Sequence, residues 1–254
     1  MRPHRTILQA FPRPPASVLL ATFAATGLSL AIPPAASAQA VAQPAATPAP
    51  AADINRDFLD PDLDPDAWVA KFEIESREVF AARGAILAAV GLEPGDRVAD
   101  VGSGTGLYLR AFSEAVGESG RVWAVDISPK LVEFIESRVA EERLGNVAVV
   151  RSSADSTRLP PAAATHAFVC DAYHHFVDWP AMLASIHQAL VPGGTLVVVD
   201  FDRVPGKSRE WLLTHVRAGK ETVREEIEEA GFEFLDEPEI EGFEENYLLR
   251  FRRP

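Results

Sequence analysis

Residues 98–106 have the sequence VADVGSGTG, in which an apolar stretch runs directly into three glycines at alternate positions. The apolar stretch predicts a buried strand, and the residues from about 106 to 116 predict a helix behind the glycines. Glycine can adopt positive φ and lets the backbone approach a ligand closely. A strand, a glycine turn and a helix in this order therefore predict a ligand-binding turn at the end of a strand.

The spacing of the glycines argues against a dinucleotide as the ligand. A dinucleotide-binding fingerprint has the pattern G-x-G-x-x-G, whereas here only Thr105 separates Gly106 from Gly104. Asp100 also lies two residues before the first glycine, and an acid there suits a ligand with an ammonium group better than one with phosphates. A nicotinamide-dependent oxidoreductase is therefore the disfavoured alternative.

The sequence on both sides of this turn alternates between short apolar strands and helices. Strands are predicted at residues 97–101, 122–125, 147–150, 167–170 and 195–199. Helices are predicted at residues 66–90, 130–143, 182–190 and 221–230. Two final strands, 232–235 and 247–251, have the composition to pair antiparallel. This alternation predicts an α/β fold, a doubly wound and mostly parallel seven-stranded sheet with a C-terminal antiparallel hairpin.

The N-terminal residues have the order of a secretory signal peptide. A basic start precedes a 15-residue apolar run at 18–32, and small residues precede a predicted cleavage after Ala38. The run is shorter than the roughly 20 residues that span a bilayer as a helix, and an uncleaved anchor is the alternative. Residues 39–52 are rich in Ala and Pro and predict a linker, followed by a folded domain at 53–254. The expected location is periplasmic or secreted, without stable membrane insertion after cleavage.

Composition and charge restrict the class of partner. The chain has a formal net charge of −13, which argues against nucleic acid as a partner because phosphate binding needs clustered Lys and Arg. A single cysteine excludes a disulfide framework, and 47% hydrophobic residues are enough for a sizeable core. Four glutamates between residues 225 and 229 predict a solvated helix face. A small-molecule substrate is the remaining expectation, and the oligomeric state is left open.

Five segments, in order, resemble the class I S-adenosylmethionine-dependent methyltransferases, especially UbiE-type and small-molecule enzymes, including exported ones with a YHHF element. They are VADVGSGTG at 98–106, AVDIS at 124–128, SSAD at 152–155, FVCDAYHHF at 168–176 and LVPGG at 190–194 before TLVVVDF. The resemblance covers residues 66–254. It implies a Rossmann-like sheet, S-adenosyl-L-methionine as cofactor, methyl transfer to an unidentified acceptor, and an N-terminal helix that covers the substrate pocket as a lid.

The resemblance also implies the cofactor-binding residues. The glycines wrap the methionine part of the cofactor, and Asp100 orders the loop around it. Asp126 accepts hydrogen bonds from the ribose, with the next residue against the adenine. Asp155 binds the adenine amino group, and Asp171 lies beside the amino acid end. The complete implied set is Asp100, Gly102, Ser103, Gly104, Gly106, Asp126, Ile127, Ala154, Asp155 and Asp171.

The candidate catalytic residues are Tyr173, His174 and His175, which follow the fourth strand. Ligands of open α/β sheets bind outside the carboxyl ends of the strands, so these side chains are expected to face the methyl acceptor. Histidine titrates near neutrality and can take a proton from an oxygen acceptor. Alternation along an extended segment favours His174 as the base and Tyr173 as a positioning group, with His175 on the other face. The alternative is that the histidines only cap or pack.

No metal is expected. Acids and histidines do occur near the predicted strand ends, where oxygen ligands suit Mg²⁺ or Ca²⁺, but the pattern of two acids and an amide is absent. These residues are Asp171, His174, His175, Asp178, Asp200 and Asp202. Zinc is disfavoured because there is no second cysteine and no recognised histidine spacing. A non-catalytic module that keeps the fold and the cofactor is a further alternative to an enzyme.

Overall fold

The computed structural model describes residues 54–254. The predicted signal peptide and the predicted linker lie outside the described residues, and both stay predictions. Within the described part of the chain, no helix combines the length and the apolar character that a bilayer crossing requires.

The described residues form one seven-stranded sheet with the order β3-β2-β1-β4-β5-β7-β6. Strands β1 to β5 are parallel, and β7 is antiparallel to both of its neighbours. The strands are β1 (Arg97–Val101), β2 (Arg121–Asp126), β3 (Val147–Arg151), β4 (Ala164–Cys170), β5 (Leu190–Phe201), β6 (Glu233–Asp236) and β7 (Asn246–Arg252). The predicted α/β fold with an antiparallel C-terminal pair is confirmed.

The strand order reverses direction at β1, because β2 lies on one side of it and β4 on the other. Such a switch point opens a crevice at the carboxyl ends of the two flanking strands, and ligands of α/β sheets bind there. The topology alone thus locates the candidate site at the ends of β1, β2 and β4.

Helices pack on both faces of the sheet, and two buried apolar clusters form the core, one on each side. The helices are α1 (Pro65–Phe72), α2 (Glu78–Ala81), α3 (Arg83–Val90), α4 (Leu109–Val116), α5 (Pro129–Glu141), α6 (Trp179–Ala189), α7 (Glu210–His215) and α8 (Lys220–Glu229). Local sequence sets several of their starts. For example, the Ser128 hydroxyl accepts a hydrogen bond from the Leu131 amide at 3.3 Å, and Pro129 opens α5.

The prediction of one helix over residues 66–90 is wrong, because the segment forms three helices. Helix α1 ends at Phe72, and Arg77 before α2 has an extended backbone. The Glu73 carboxylate accepts a hydrogen bond from Arg138 at 2.6 Å, and Arg77 pairs with Asp171. Both partners lie elsewhere in the chain, so long-range ion pairs override the local helical periodicity.

The acidic face of α8 also differs from the expectation. Glu226 is buried, and the two nitrogens Nη1 and Nη2 of the buried Arg217 donate to its two carboxylate oxygens at 2.6 Å each. The Tyr173 hydroxyl donates to Glu226 Oε2 at 2.8 Å. Three of the four glutamates are exposed as predicted, while Glu226 anchors the segment that carries Arg217 to the core.

Replacing Glu226 with Ala should lower the free energy of unfolding by about 3–5 kcal/mol, because it leaves the Arg217 guanidinium buried and unpaired. Urea unfolding followed by circular dichroism measures the loss. Glu225→Ala, at an exposed position of the same helix, is the matched control and should change stability by less than about 0.5 kcal/mol. Equal losses in the two variants would contradict a structural role for the Arg217–Glu226 pair.

Candidate active site

A cavity of about 660 Å³ lies at the carboxyl ends of the parallel strands. One end is formed by the glycine turn after β1, the end of β2 and the segment after β3. The other end is formed by the segments after β4 and β5, and several residues between 54 and 79 also line the cavity. Its volume is within the range of small-molecule sites.

The glycine turn requires glycine for steric reasons. All three glycines have positive φ, at 81°, 57° and 82°. A Cβ atom on Gly102 would lie 2.5 Å from the Cβ of Ala172, and one on Gly106 would lie 2.8 Å from Leu109. Gly102, Ser103 and Gly104 line the cavity, whereas Gly106 shapes the turn behind it.

Two buried carboxyl groups stand at the glycine turn. Asp126 accepts hydrogen bonds from the Gly104 amide and from the Ser128 amide, both at 2.8 Å. Burial raises the pKa of Asp126 to about 6. Burial likewise raises the pKa of Asp100 to about 7, with a smaller contribution from the neighbouring Asp126. The structure brings both predicted acids to the same end of the cavity.

Residues after β2 and β3 form the adjacent wall. Ile127 and Ala154 line the cavity, as do Ser152 and Ser153. Asp155 is exposed and is not part of the cavity wall, and its carboxylate accepts a hydrogen bond from Ser153 at 2.7 Å. The structure thus places Ala154 on the wall and Asp155 just outside it.

Asp171 occupies the middle of the cavity wall with a positive φ of 46°. Its carboxylate accepts a hydrogen bond from the Asn246 side chain at 2.7 Å and forms an ion pair with Arg77. Burial raises the pKa of Asp171 to about 6, although Arg77 opposes the shift. Neither partner was identified from the sequence, because no local pattern connects residues 75 and 94 positions away from Asp171.

Aromatic rings of the N-terminal segment line the cavity. The ring centroids of Phe58 and Trp68 are 4.6 Å apart, and those of Trp68 and Phe72 are 5.1 Å apart. A carbon of the Phe72 ring lies 3.4 Å from the point where a Cβ of Gly104 would stand. Glu73 also accepts a hydrogen bond from the Thr105 hydroxyl at 2.9 Å, so this segment contacts the glycine turn directly.

Residues 173–175 form a 3-10 helix and not the extended segment that the sequence suggested. Asp200 explains the turn, because its carboxylate accepts hydrogen bonds from the His174 amide at 3.0 Å and from the His174 ring at 2.7 Å. Both His174 and His175 therefore line the cavity. Tyr173 does not line it: its ring is buried and its hydroxyl donates to Glu226. The expectation that His174 and His175 face opposite sides, and that Tyr173 faces the acceptor, is wrong.

A third histidine was not predicted from the sequence. His215, the last residue of α7, lines the same end of the cavity as His174 and His175. Its ring stacks on Trp211 at 4.8 Å and 20°. Helix α7 has only six residues, and His215 lies 40 positions from His175, so no spacing rule connects His215 with the YHH segment.

Comparison with known proteins agrees with this geometry. Residues 98–194 match the family model of a methyltransferase domain. The chain is 30% identical over 115 residues to the ubiquinone/menaquinone biosynthesis C-methyltransferase UbiE of Hydrogenovibrio crunogenus, an alignment that covers 45% of each protein. The chain thus spans about half the length of the curated relatives that it matches.

Two solved structures have the same fold. A S-adenosylmethionine-dependent methyltransferase from Aquifex aeolicus matches with a TM-score of 0.66 and 25% identity over 75% of this chain and 99% of that one. Phosphoethanolamine N-methyltransferase 2 of Haemonchus contortus, solved with S-adenosyl-L-methionine, matches with a TM-score of 0.59 and 24% identity, over 70% of this chain and 44% of that one.

The raised pKa of Asp100 predicts a dependence of stability on pH. The folded state holds this proton up to about pH 7, whereas the unfolded chain releases it near the ordinary value of 3.8. Stability from this group is therefore present at low pH and is lost as the pH rises to about 7. Asp100→Asn removes the titration, so its free energy of unfolding relative to the parent should rise by on the order of 3 kcal/mol between pH 4 and pH 8.

Chemical unfolding at a series of pH values measures this difference. Asp155→Asn, at an exposed position, is the matched variant that also removes one carboxylate. If the free energies of unfolding of Asp100→Asn and the parent differed by the same amount from pH 4 to pH 8, the pKa of Asp100 would not be raised in the folded state.

Proposed function

We propose that this chain is a class I S-adenosylmethionine-dependent methyltransferase, which the methyltransferase domain model, the UbiE relative and the fold all support. It transfers a methyl group from S-adenosyl-L-methionine to a small-molecule acceptor. The observation that carries this proposal is the cavity itself. At one end is a turn of positive-φ glycines with a buried aspartate, and at the other end is a group of histidines. Cofactor and acceptor can therefore meet in one cavity.

The residues of the glycine end fit the cofactor chemically. Each oxygen of the Asp126 carboxylate accepts one backbone amide, which leaves further lone pairs for two ribose hydroxyls. Ile127 and Ala154 offer apolar contact for an adenine ring. Asp155 stands next to Ala154 at the edge, where we propose that it binds the adenine amino group.

Charge also supports this cofactor. S-adenosyl-L-methionine supplies a methyl group on a sulfonium that is already activated for displacement. Asp100, Asp126 and Asp171 are buried or half-buried along the wall, and a cationic ligand compensates carboxylates that burial has destabilised as anions. Asp171 contributes from the middle of the cavity, next to the proposed position of the amino acid end.

The chain's main task is then alignment and exclusion of water. Phe58, Trp68 and Phe72 cover the cavity with apolar rings, and we propose that this segment acts as the lid. His174 and His175 are proposed to contact the acceptor. Tyr173 supports them from behind through its hydrogen bond with Glu226.

Binding of S-adenosylhomocysteine tests the cofactor end. Asp126→Asn should weaken binding by about 1–3 kcal/mol, because the amide lacks the charge and one acceptor of the carboxylate. Isothermal titration calorimetry measures the affinity, with circular dichroism to verify the fold. Glu136→Gln, an exposed position on α5, is the control with the same loss of charge. An unchanged affinity in folded Asp126→Asn protein would remove Asp126 from the site.

Cofactor titration and a labelling experiment distinguish methyl transfer from the alternative functions. Tight binding of NAD without binding of S-adenosylmethionine would overturn the proposal in favour of an oxidoreductase. Incubation of cellular extract with cofactor labelled at the methyl group should give a labelled small molecule that depends on the protein. Cofactor binding without any labelled product would indicate a non-catalytic module.

We further propose that the protein is exported. The support is the order of charge and hydropathy in residues 1–38. N-terminal sequencing of the protein from fractionated cells should give a periplasmic or secreted species that begins at Gln39. A cytoplasmic species that begins at Met1 would refute the proposal.

A further inference from the structure

Three histidine rings meet in the part of the cavity that is formed by the segments after β4 and β5. One ligand nitrogen each from His174, His175 and His215 can be chosen such that all three lie within 4.8 Å of one another. The ring centroids of His174 and His175 are 4.3 Å apart, and that of His215 lies 5.2 Å and 5.3 Å from them. The two adjacent histidines follow β4 and the third follows β5, so the sheet topology creates the cluster.

Two of these rings are oriented by outer partners. Asp200 is hydrogen-bonded to Nδ1 of His174 at 2.7 Å, and the Asn55 side-chain oxygen is 3.1 Å from Nδ1 of His175. The Asn55 amide nitrogen also donates to the His175 carbonyl at 3.0 Å, which fixes the direction of the amide. A neutral ring that donates through Nδ1 has its lone pair on Nε2, and metal-binding histidines typically have such an outer carboxylate or carbonyl partner.

We propose that His174, His175 and His215 bind a divalent transition metal of the zinc type, with one coordination position open to the cavity. Three imidazole ligands and an open fourth position are the arrangement of catalytic zinc sites. Zinc–nitrogen bonds of about 2.0–2.1 Å in a tetrahedron place the ligand nitrogens about 3.3 Å apart. The nitrogens would therefore approach one another by up to about 1.5 Å on binding. The His215 ring can slide parallel to the Trp211 ring on which it stacks, which allows this approach.

The electrostatics of the cluster agree with this proposal. Burial and the two neighbouring histidines lower the pKa of His175 to about 2, and burial lowers the pKa of His215. Both rings are thus neutral near pH 7, as a metal ligand must be. Burial opposes protonation of His174, but the carboxylate of Asp200 outweighs it and raises the pKa. A bound cation would supply the positive charge that Asp200 attracts.

This inference replaces the general-base role that the sequence suggested for His174, because a nitrogen that binds a metal cannot accept a proton. It also differs from the sequence expectation that no metal binds. The histidine that completes the site, His215, had no recognisable spacing to the other two. The inference is independent of methyl transfer, since it concerns metal affinity alone.

Titration of the full chain with Zn²⁺ tests the proposal, using protein purified without a polyhistidine tag and treated with a chelator. Calorimetry should show one equivalent bound, and Co²⁺ in place of Zn²⁺ should give the visible absorption bands of a four- or five-coordinate ion. His215→Ala should weaken Zn²⁺ binding by more than about 100-fold. Asp200→Asn, which alters the outer partner of the His174 ring and also an acceptor of the His174 amide, should weaken it by about 10–100-fold.

His187→Ala is the matched control. His187 lies on α6 with its ring 5.0 Å from Phe232 and is not part of the cavity lining, so this variant should bind Zn²⁺ like the parent. Equal affinities of His215→Ala and His187→Ala, or less than one equivalent bound by the parent, would overturn the proposal. S-adenosylhomocysteine binding in the same variants reports on the glycine end separately. Retained binding in His215→Ala therefore shows that a loss of metal affinity is local and does not result from unfolding.

Discussion

The steric contact between the glycine turn and the segment after β4 determines the geometry of the whole cavity. Gly102 approaches Ala172 so closely that a single added carbon would lie 2.5 Å from it. Gly104 in turn donates its amide to Asp126 at the end of β2. The ends of β1, β2 and β4 are therefore held together by backbone positions that accept no side chain. His174 and His175, two and three residues after Ala172, lie next to this contact in the chain.

Ion pairs attach the N-terminal segment to this frame. Arg77 pairs with Asp171, and Glu73 bonds to Arg138 and to the glycine turn. A buried carboxylate is costly without a partner, so Arg77 stabilises the Asp171 carboxylate. The same ion pair holds the N-terminal segment against the cavity wall. The unusual backbone of Asp171, with φ of 46°, is consistent with a residue that its surroundings hold in place.

The features that could be predicted from the sequence are those encoded by neighbouring residues. The strand, turn and helix around Gly104 depend on apolar periodicity and on glycine, and both are visible in the sequence. The helix break before Arg77 depends on Asp171, far along the chain. The burial of Glu226 depends on Arg217, which precedes its helix, and on the distant Tyr173. Local patterns therefore predicted a continuous helix and a solvated face. The same limit applies to His215, because only the packing of α7 against the end of the sheet brings it to the YHH segment.

The cavity wall comes partly from inside and partly from outside the region that matches the methyltransferase family model. The glycine end is built from residues between Asp100 and Ala154, within the region 98–194 that matches the methyltransferase family model. The cover at 54–79 and helix α7 lie outside that region. Under the proposed function, these two segments belong to the acceptor side of the cavity, whereas His174 and His175 lie inside the matched region. An exchange of the two segments alone would then reshape the acceptor side and leave the glycine turn intact.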